Sequence, residues 1–204
     1  MLLQYLVAAL APTVALAAIP IGCGPWTRVH PDSYIQPCGG GSVDGNVFHL
    51  PSQPDGSTDG PGCSSGHLRA EERVRNDYSS GVHQFSGQFT IQSFGGDRVS
   101  LKQTFHGDEG AWFMMAVEQS GRLYNVHDQE TIAYEGVAAV GETVQVNTVH
   151  DLDAGEITVY INGEEKYTTS SPDGSFYDKY GAYATNSGSG PMEVTWSDVA
   201  FWRR

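Results

Sequence analysis

From His67 to its C-terminus the chain is a succession of short alternating runs: QFSGQFTIQSF, DRVSLKQTFH, AWFMMAVEQ, RLYNVH, TVQVNTVHDL, EITVYIN, YGAYATN and MEVTWSDVAFW. They are rich in Val, Thr, Tyr, Phe and Trp, and Gly, Asp and Asn separate them. Such residues suit a pleated, half-buried surface, and a period of two marks a strand with one face turned inward. No segment after the N-terminal leader carries a helical apolar stripe. Asn162-Gly163, between TVYI and EEKYT, is a hairpin signal. The pattern predicts an all-β chain: two antiparallel sheets packed as a jelly-roll sandwich. One sheet of such a sandwich curves, and its concave face can take a chain-like ligand.

A chain of 204 residues suffices for one sizeable domain. The N-terminus, MLLQYLVAALAPTVALAAIPIG, has an apolar core followed by small residues and reads as a secretory signal peptide over residues 1–18. Residues 19–66 are rich in Gly, Pro, Ser and Asp, with VFHL as a short strand, and form one domain with the sandwich of residues 67–204. In an oxidising compartment two of Cys23, Cys38 and Cys63 pair, and all three pairings stay open. There is no Cys-x-x-Cys to suggest zinc. No later apolar run is long enough to span a membrane.

The 24 Asp and Glu against 11 Lys and Arg give a formal net charge of −13, which argues against nucleic acid or an anionic membrane as partner. Against that background HLRAEERVR stands out. As a strand it sets His67, Arg69, Glu71, Arg73 and Arg75 on one face and Leu68, Ala70, Glu72 and Val74 on the other. The cationic row either braces an Arg69–Glu71–Arg73 salt-bridge ladder or waits for an anion. In SLKQTFH, Leu101, Gln103 and Phe105 share a face, with Lys102, Thr104 and His106 opposite. Leu101 and Phe105 are expected in the core, which makes Gln103 conspicuous, because a buried amide must be hydrogen-bonded. In YDKYGAY, Tyr177, Lys179, Gly181 and Tyr183 share a face, and Gly181, with no side chain, is expected to leave room for something to approach the backbone.

Arg, Glu, Gln, Lys, Tyr and His together suit a sugar that bears a carboxylate. A lyase acting on a uronic-acid polymer must neutralise the C5 carboxylate, remove the C5 proton and protonate the leaving O4. Arg or Gln can stabilise the developing charge, and Tyr or His can move the protons. A free Tyr titrates at roughly 10, so base work is expected to need a cation such as Lys179 or an Arg to lower it. This scheme requires no cofactor, and the acidic loops leave room for a structural Ca2+.

These residues carry a resemblance. RAEER at 69–73 resembles the Arg-x-Glu-x-Arg strand of the jelly-roll alginate lyases. KQTFH at 102–106 is similar to their Gln-x-His strand, and YDKYGAY at 177–183 to their Tyr-Phe-Lys-x-Gly-x-Tyr strand. The layout is also similar to the glucuronan lyases, and the likeness covers residues 65–204. It implies a concanavalin A-like jelly roll and a secreted, monomeric polysaccharide lyase that cleaves glucuronan, alginate or a related anionic polysaccharide by β-elimination. It further implies catalytic roles for Arg69 and Gln103 at the carboxylate and for Tyr183 as proton carrier. Arg73, Glu71, Lys179 and Tyr177 follow as substrate-binding residues, with Glu71 orienting the arginines. The family's His falls where this chain has Phe105, and His106 should face the other way. His67, on the arginine face, is therefore nominated as the assisting His, as the glucuronan lyases place a His on an earlier strand. The main rival is a non-catalytic glycan-binding module on the same sandwich; a secreted structural protein without a sugar site is another. A two-carboxylate glycosidase is disfavoured, because Glu71 and Glu72 face opposite sides of one strand.

Overall fold

A computed structural model describes residues 19–56, 63, 66–185 and 188–204. The expected leader, residues 1–18, lies outside these described residues. In chain order the first strands are β1 (Thr27–Val29), β2 (Ser33–Cys38), β3 (Ser42–Asp44), β4 (Val47–Leu50) and β5 (Leu68–Val74). There follow β6 (Val82–Phe94), β7 (Arg98–His106), β8 (Gly110–Glu118), β9 (Leu123–Asn125) and β10 (Thr131–Ala133). The last are β11 (Thr143–Asp151), β12 (Glu156–Ile161), β13 (Glu164–Ser170), β14 (Phe176–Ala184) and β15 (Met192–Arg203). One sheet runs β13-β12-β11-β6-β15-β4-β3, with β1 also paired to β15. The other runs β10-β9-β8-β7-β14-β5-β2. The two antiparallel sheets pack face to face as a jelly-roll sandwich.

Alternation builds the core. Phe85, Phe89 and Ile91 of β6, with Val144 and Val146 of β11, meet Leu68 and Ala70 of β5 and Tyr180 and Ala182 of β14. Trp196 sits among Phe85 (ring centroids 5.9 Å), Phe89 (5.3 Å) and Tyr180 (5.5 Å). Asn162 and Gly163 both take positive φ, 52° and 85°, in the tight turn between β12 and β13, as a two-residue hairpin on twisted strands requires.

Residues 27–50 supply β1 to β4 and so edge both sheets; β2 pairs with β5. Cys38, the last residue of β2, is joined to Cys63 with Cα atoms 5.7 Å apart, and Cys23 is free. β14 lies between β5 and β7, so three distant segments of sequence meet there: Lys179 is opposite both Arg73 and Gln103, and Tyr183 is opposite Arg69. A bulge between Tyr180 and Tyr183 contains Gly181 at φ 137°. A Cβ on Gly181 would fall 2.4 Å from Ala70 O and 2.8 Å from Phe48 Cδ1. The room the glycine leaves beside its backbone is taken by the neighbouring strand and the core, and Trp196 Nε1 donates to its carbonyl at 3.2 Å.

Candidate active site

On the outer face of the second sheet lies an open cleft of about 430 Å³. Arg69, Glu71, Gln103, Lys179, Tyr177 and Tyr183 all line it. The alternation of β5 and β14 turns these side chains outward while Leu68, Ala70, Val74, Tyr180 and Ala182 turn inward. His67 and Arg73 stand one contact back. Tyr183 Oη lies 2.6 Å from His67 Nδ1, and the Arg73 guanidinium lies 3.8 Å over the Tyr177 ring.

Arg69 is 4% exposed, and Glu71 and Gln103 are each 1% exposed, yet none of the three is fully satisfied. Gln103 Nε2 donates to Glu71 Oε1. Arg69 Nε, Glu71 Oε2, Gln103 Oε1 and Gln36 Oε1 have no hydrogen-bond partner among the described residues. A buried polar atom without a partner costs roughly 1–3 kcal/mol, so a cluster of them on one cleft floor points to a ligand that completes them. Glu71 therefore holds Gln103 instead of orienting the arginines. No Arg69–Glu71–Arg73 ladder forms among the described residues: Arg73 pairs with Asp77 at 2.8 Å and donates to Val74 O.

Electrostatics assign resting protonation states. Burial raises the Glu71 carboxyl above its ordinary range, more than the charges of Lys179 and Arg69 and the bond from Gln103 lower it. Burial lowers the Lys179 ammonium to about 8, with Glu71 opposing and Arg69 and Arg73 reinforcing. Burial and then Glu71 raise the Tyr183 phenol, outweighing Arg69. The cationic lowering expected for Tyr183 is thus reversed, and at rest it keeps its proton. Burial and then the Arg69 charge lower His67, so its imidazole is neutral near pH 7, and the tautomer with the ring proton on Nε2 leaves Nδ1 free to accept from the phenol.

Phe105 departs from the sequence expectation. It lines the cleft, its ring stacked on Tyr177 at 5.1 Å, with the Lys179 ammonium 4.0 Å above it. Leu101 is in the core as expected. The two part company because β7 is bulged against β8 between Ser100 and Lys102, which leaves Leu101 unpaired and resets the alternation. His106 faces away, stacked on Phe176 at 4.8 Å. Gln36, contributed by β2, is a cleft residue that strand alternation within the later motifs could not supply. Among the described residues no three His, Cys, Asp or Glu side chains gather as metal ligands.

No protein-family model matches the chain. A curated citrate-binding protein of Hevea brasiliensis is 34% identical over 141 residues, 66% of this chain, and the chain spans 56% of that protein's length. Among solved structures, an alginate lyase of Pseudomonas aeruginosa superposes with a TM-score of 0.60 at 15% identity, over 78% of this chain and 82% of that one. An alginate lyase of Corynebacterium sp. superposes with a TM-score of 0.55 at 22% identity, over 65% and 67%. The chain has the jelly-roll fold of the alginate lyases.

Proposed function

We propose that the protein is a secreted polysaccharide lyase that cleaves a glucuronan- or alginate-type polyuronate by β-elimination. The observation that carries this is the cleft floor: an unpartnered guanidinium N–H of Arg69 beside the unpartnered acceptor oxygens of Glu71 and Gln103, next to the Tyr183–His67 pair. A uronate offers what that floor lacks, a carboxylate for Arg69 and adjacent hydroxyl donors for the acceptors. Citrate, with three carboxylates and one hydroxyl, matches acceptors with acceptors. The fold of the alginate lyases and the Cys38–Cys63 disulfide agree with an extracellular enzyme on anionic polysaccharide.

In this mechanism Arg69, helped by Lys179, neutralises the carboxylate and so acidifies the C5 proton. Tyr183 passes its phenolic proton to neutral His67 as it accepts the C5 proton, so the phenolate that burial disfavours does not accumulate. The C5–H electron pair becomes the C4–C5 double bond as the C4–O4 bond breaks. Tyr183 returns the proton to O4 and is reprotonated by His67, and the products are a new chain end and an unsaturated uronide.

A second reading is a non-catalytic glycan- or carboxylate-binding module. Phe105, an inert ring where the lyases it resembles carry a His, favours it, as does the name of the Hevea relative. Absorbance of the unsaturated uronide, with purified protein on a polyuronate panel and Tyr183→Phe alongside, separates the two. A signal that the variant loses is the expected result. Calorimetric binding of a polyuronate or citrate with no absorbance change would favour the second reading.

A further inference from the structure

β-Elimination removes H5 and O4, and the configuration at C5 decides whether they leave from one face of the ring or from two. In D-glucuronate and D-mannuronate residues H5 and O4 lie on the same face. In the C5 epimers, L-guluronate and L-iduronate, they lie on opposite faces. A single proton carrier can serve the first geometry as base and then as acid. The second needs a base and an acid on opposite sides of the sugar.

The cleft gathers its proton carriers on one side. Tyr183, hydrogen-bonded to His67, stands opposite Arg69 in the register of β14 and β5. Further along β14 the register sets Tyr177 opposite Phe105. That end is an aromatic and cationic wall: Arg73 on Tyr177, Tyr177 on Phe105, Lys179 on Phe105. Phe105 has no proton to move. Burial raises the Tyr177 phenol despite Arg73, and Lys179 carries its charge at neutral pH. Glu71 is part of the floor, bonded to Gln103, and Asp108 is an exposed rim residue on the turn before β8.

We propose that Phe105 makes the cleft selective for polyuronates whose H5 and O4 share a face, D-glucuronate or D-mannuronate polymers, with Tyr183 serving in turn as base and acid. This rests on the lyase reading. No group facing Tyr183 across the cleft then has to move a proton, and Lys179 serves as a fixed charge near the carboxylate.

The test is the wild-type protein on three homopolymers, polyglucuronate, polymannuronate and polyguluronate, at matched uronate concentration. Uronide absorbance is expected on at least one of the first two, with polyguluronate slower by about 100-fold or more, the scale of a missing general base. Polyguluronate cleavage within tenfold of the better D-polymer would overturn the selectivity. Silence on all three removes the lyase reading itself, a result distinct from cleavage of the wrong epimer. Phe105→His then tests the residue, since a neutral imidazole supplies the absent base. The expected result is a rise of at least tenfold on polyguluronate. A variant that still cleaves the D-polymer, and so is folded, but gains nothing on polyguluronate would overturn the assignment to Phe105.

Discussion

Two charged clusters lie on opposite faces of the second sheet, where β14 runs between β7 and β5, and they are built to opposite ends. On the inner face, Lys102 Nζ contacts Asp178 Oδ1 at 2.6 Å and also bonds Gln103 O and Thr104 Oγ1. Asp178 further accepts from Thr104 and from Asn76 Nδ2. None of these charged atoms is left without a partner, and Lys102 is fully buried. On the outer face, Arg69, Glu71 and Gln103 are as buried but keep unpartnered atoms. Burial works to raise the Asp178 carboxyl, yet the Lys102 charge and the surrounding hydrogen bonds hold it below its ordinary range. Burial wins at Glu71, which stays above its range. A closed cluster is part of the structure; an incomplete one is waiting for something to complete it.

The largest effect should come from breaking the closed cluster. Lys102→Ala strands an unpaired carboxylate in the interior and should cost about 3–5 kcal/mol, read as a fall in the urea unfolding midpoint. Arg69→Ala, in the incomplete cluster, should do the reverse. It should lower uronide release by about 100- to 1000-fold while moving the midpoint far less than Lys102→Ala does. If Arg69→Ala unfolds the protein as readily, the outer cluster is structural too and the contrast collapses.

How far the sequence could carry this contrast depends on where alternation survives. In β5 and β14 the period of two persists, so Arg69, Glu71, Lys179, Tyr177 and Tyr183 are legible as one face. Tyr183 and His67 become neighbours only through the pairing of β14 with β5, which no single motif displays. In β7 the bulge at Leu101 breaks the period, and no residue type announces it, so simple alternation puts Phe105 in the core. Gln36 comes from a Gly- and Pro-rich segment with no strand rhythm, and its place depends on β2 pairing with β5, which follows it in the chain only after β3 and β4. Alternation does set Lys102 on the face opposite Gln103. Its partner Asp178 is a lone acid between Tyr177 and Lys179, and only the pairing of β14 with β7 brings the two together.

Lys179 offers a subtler probe of the outer cluster. Its charge is needed at the carboxylate, and burial lowers it to about 8. The value of kcat/KM should therefore decline above about pH 8, by up to about tenfold per pH unit. Lys179→Arg keeps the charge at alkaline pH, and its profile should lose that decline. An unchanged alkaline limb in the variant would assign the limb to another group, with Tyr183 the first to test.

The smallest effect is the most direct test of the contrast, because the two carboxyls should respond to pH with opposite signs. Asp178 has a folded value below its unfolded one, so its stabilising contribution is present above the ordinary carboxylate range and is lost as pH falls through the folded value. Glu71 has a folded value above its unfolded one. Between the two values the folded protein binds more protons than the unfolded chain, so stability declines as pH rises through that window. Glu71→Gln does not titrate there, and subtracting its unfolding free energy from that of wild type cancels the other groups. The difference should fall as pH rises from the ordinary carboxylate range, by no more than about 1.4 kcal/mol per pH unit, and then level off. If it grows instead, Glu71 is stabilised as a carboxylate, the outer cluster is a satisfied salt bridge like the inner one, and its unpartnered atoms no longer argue for a ligand.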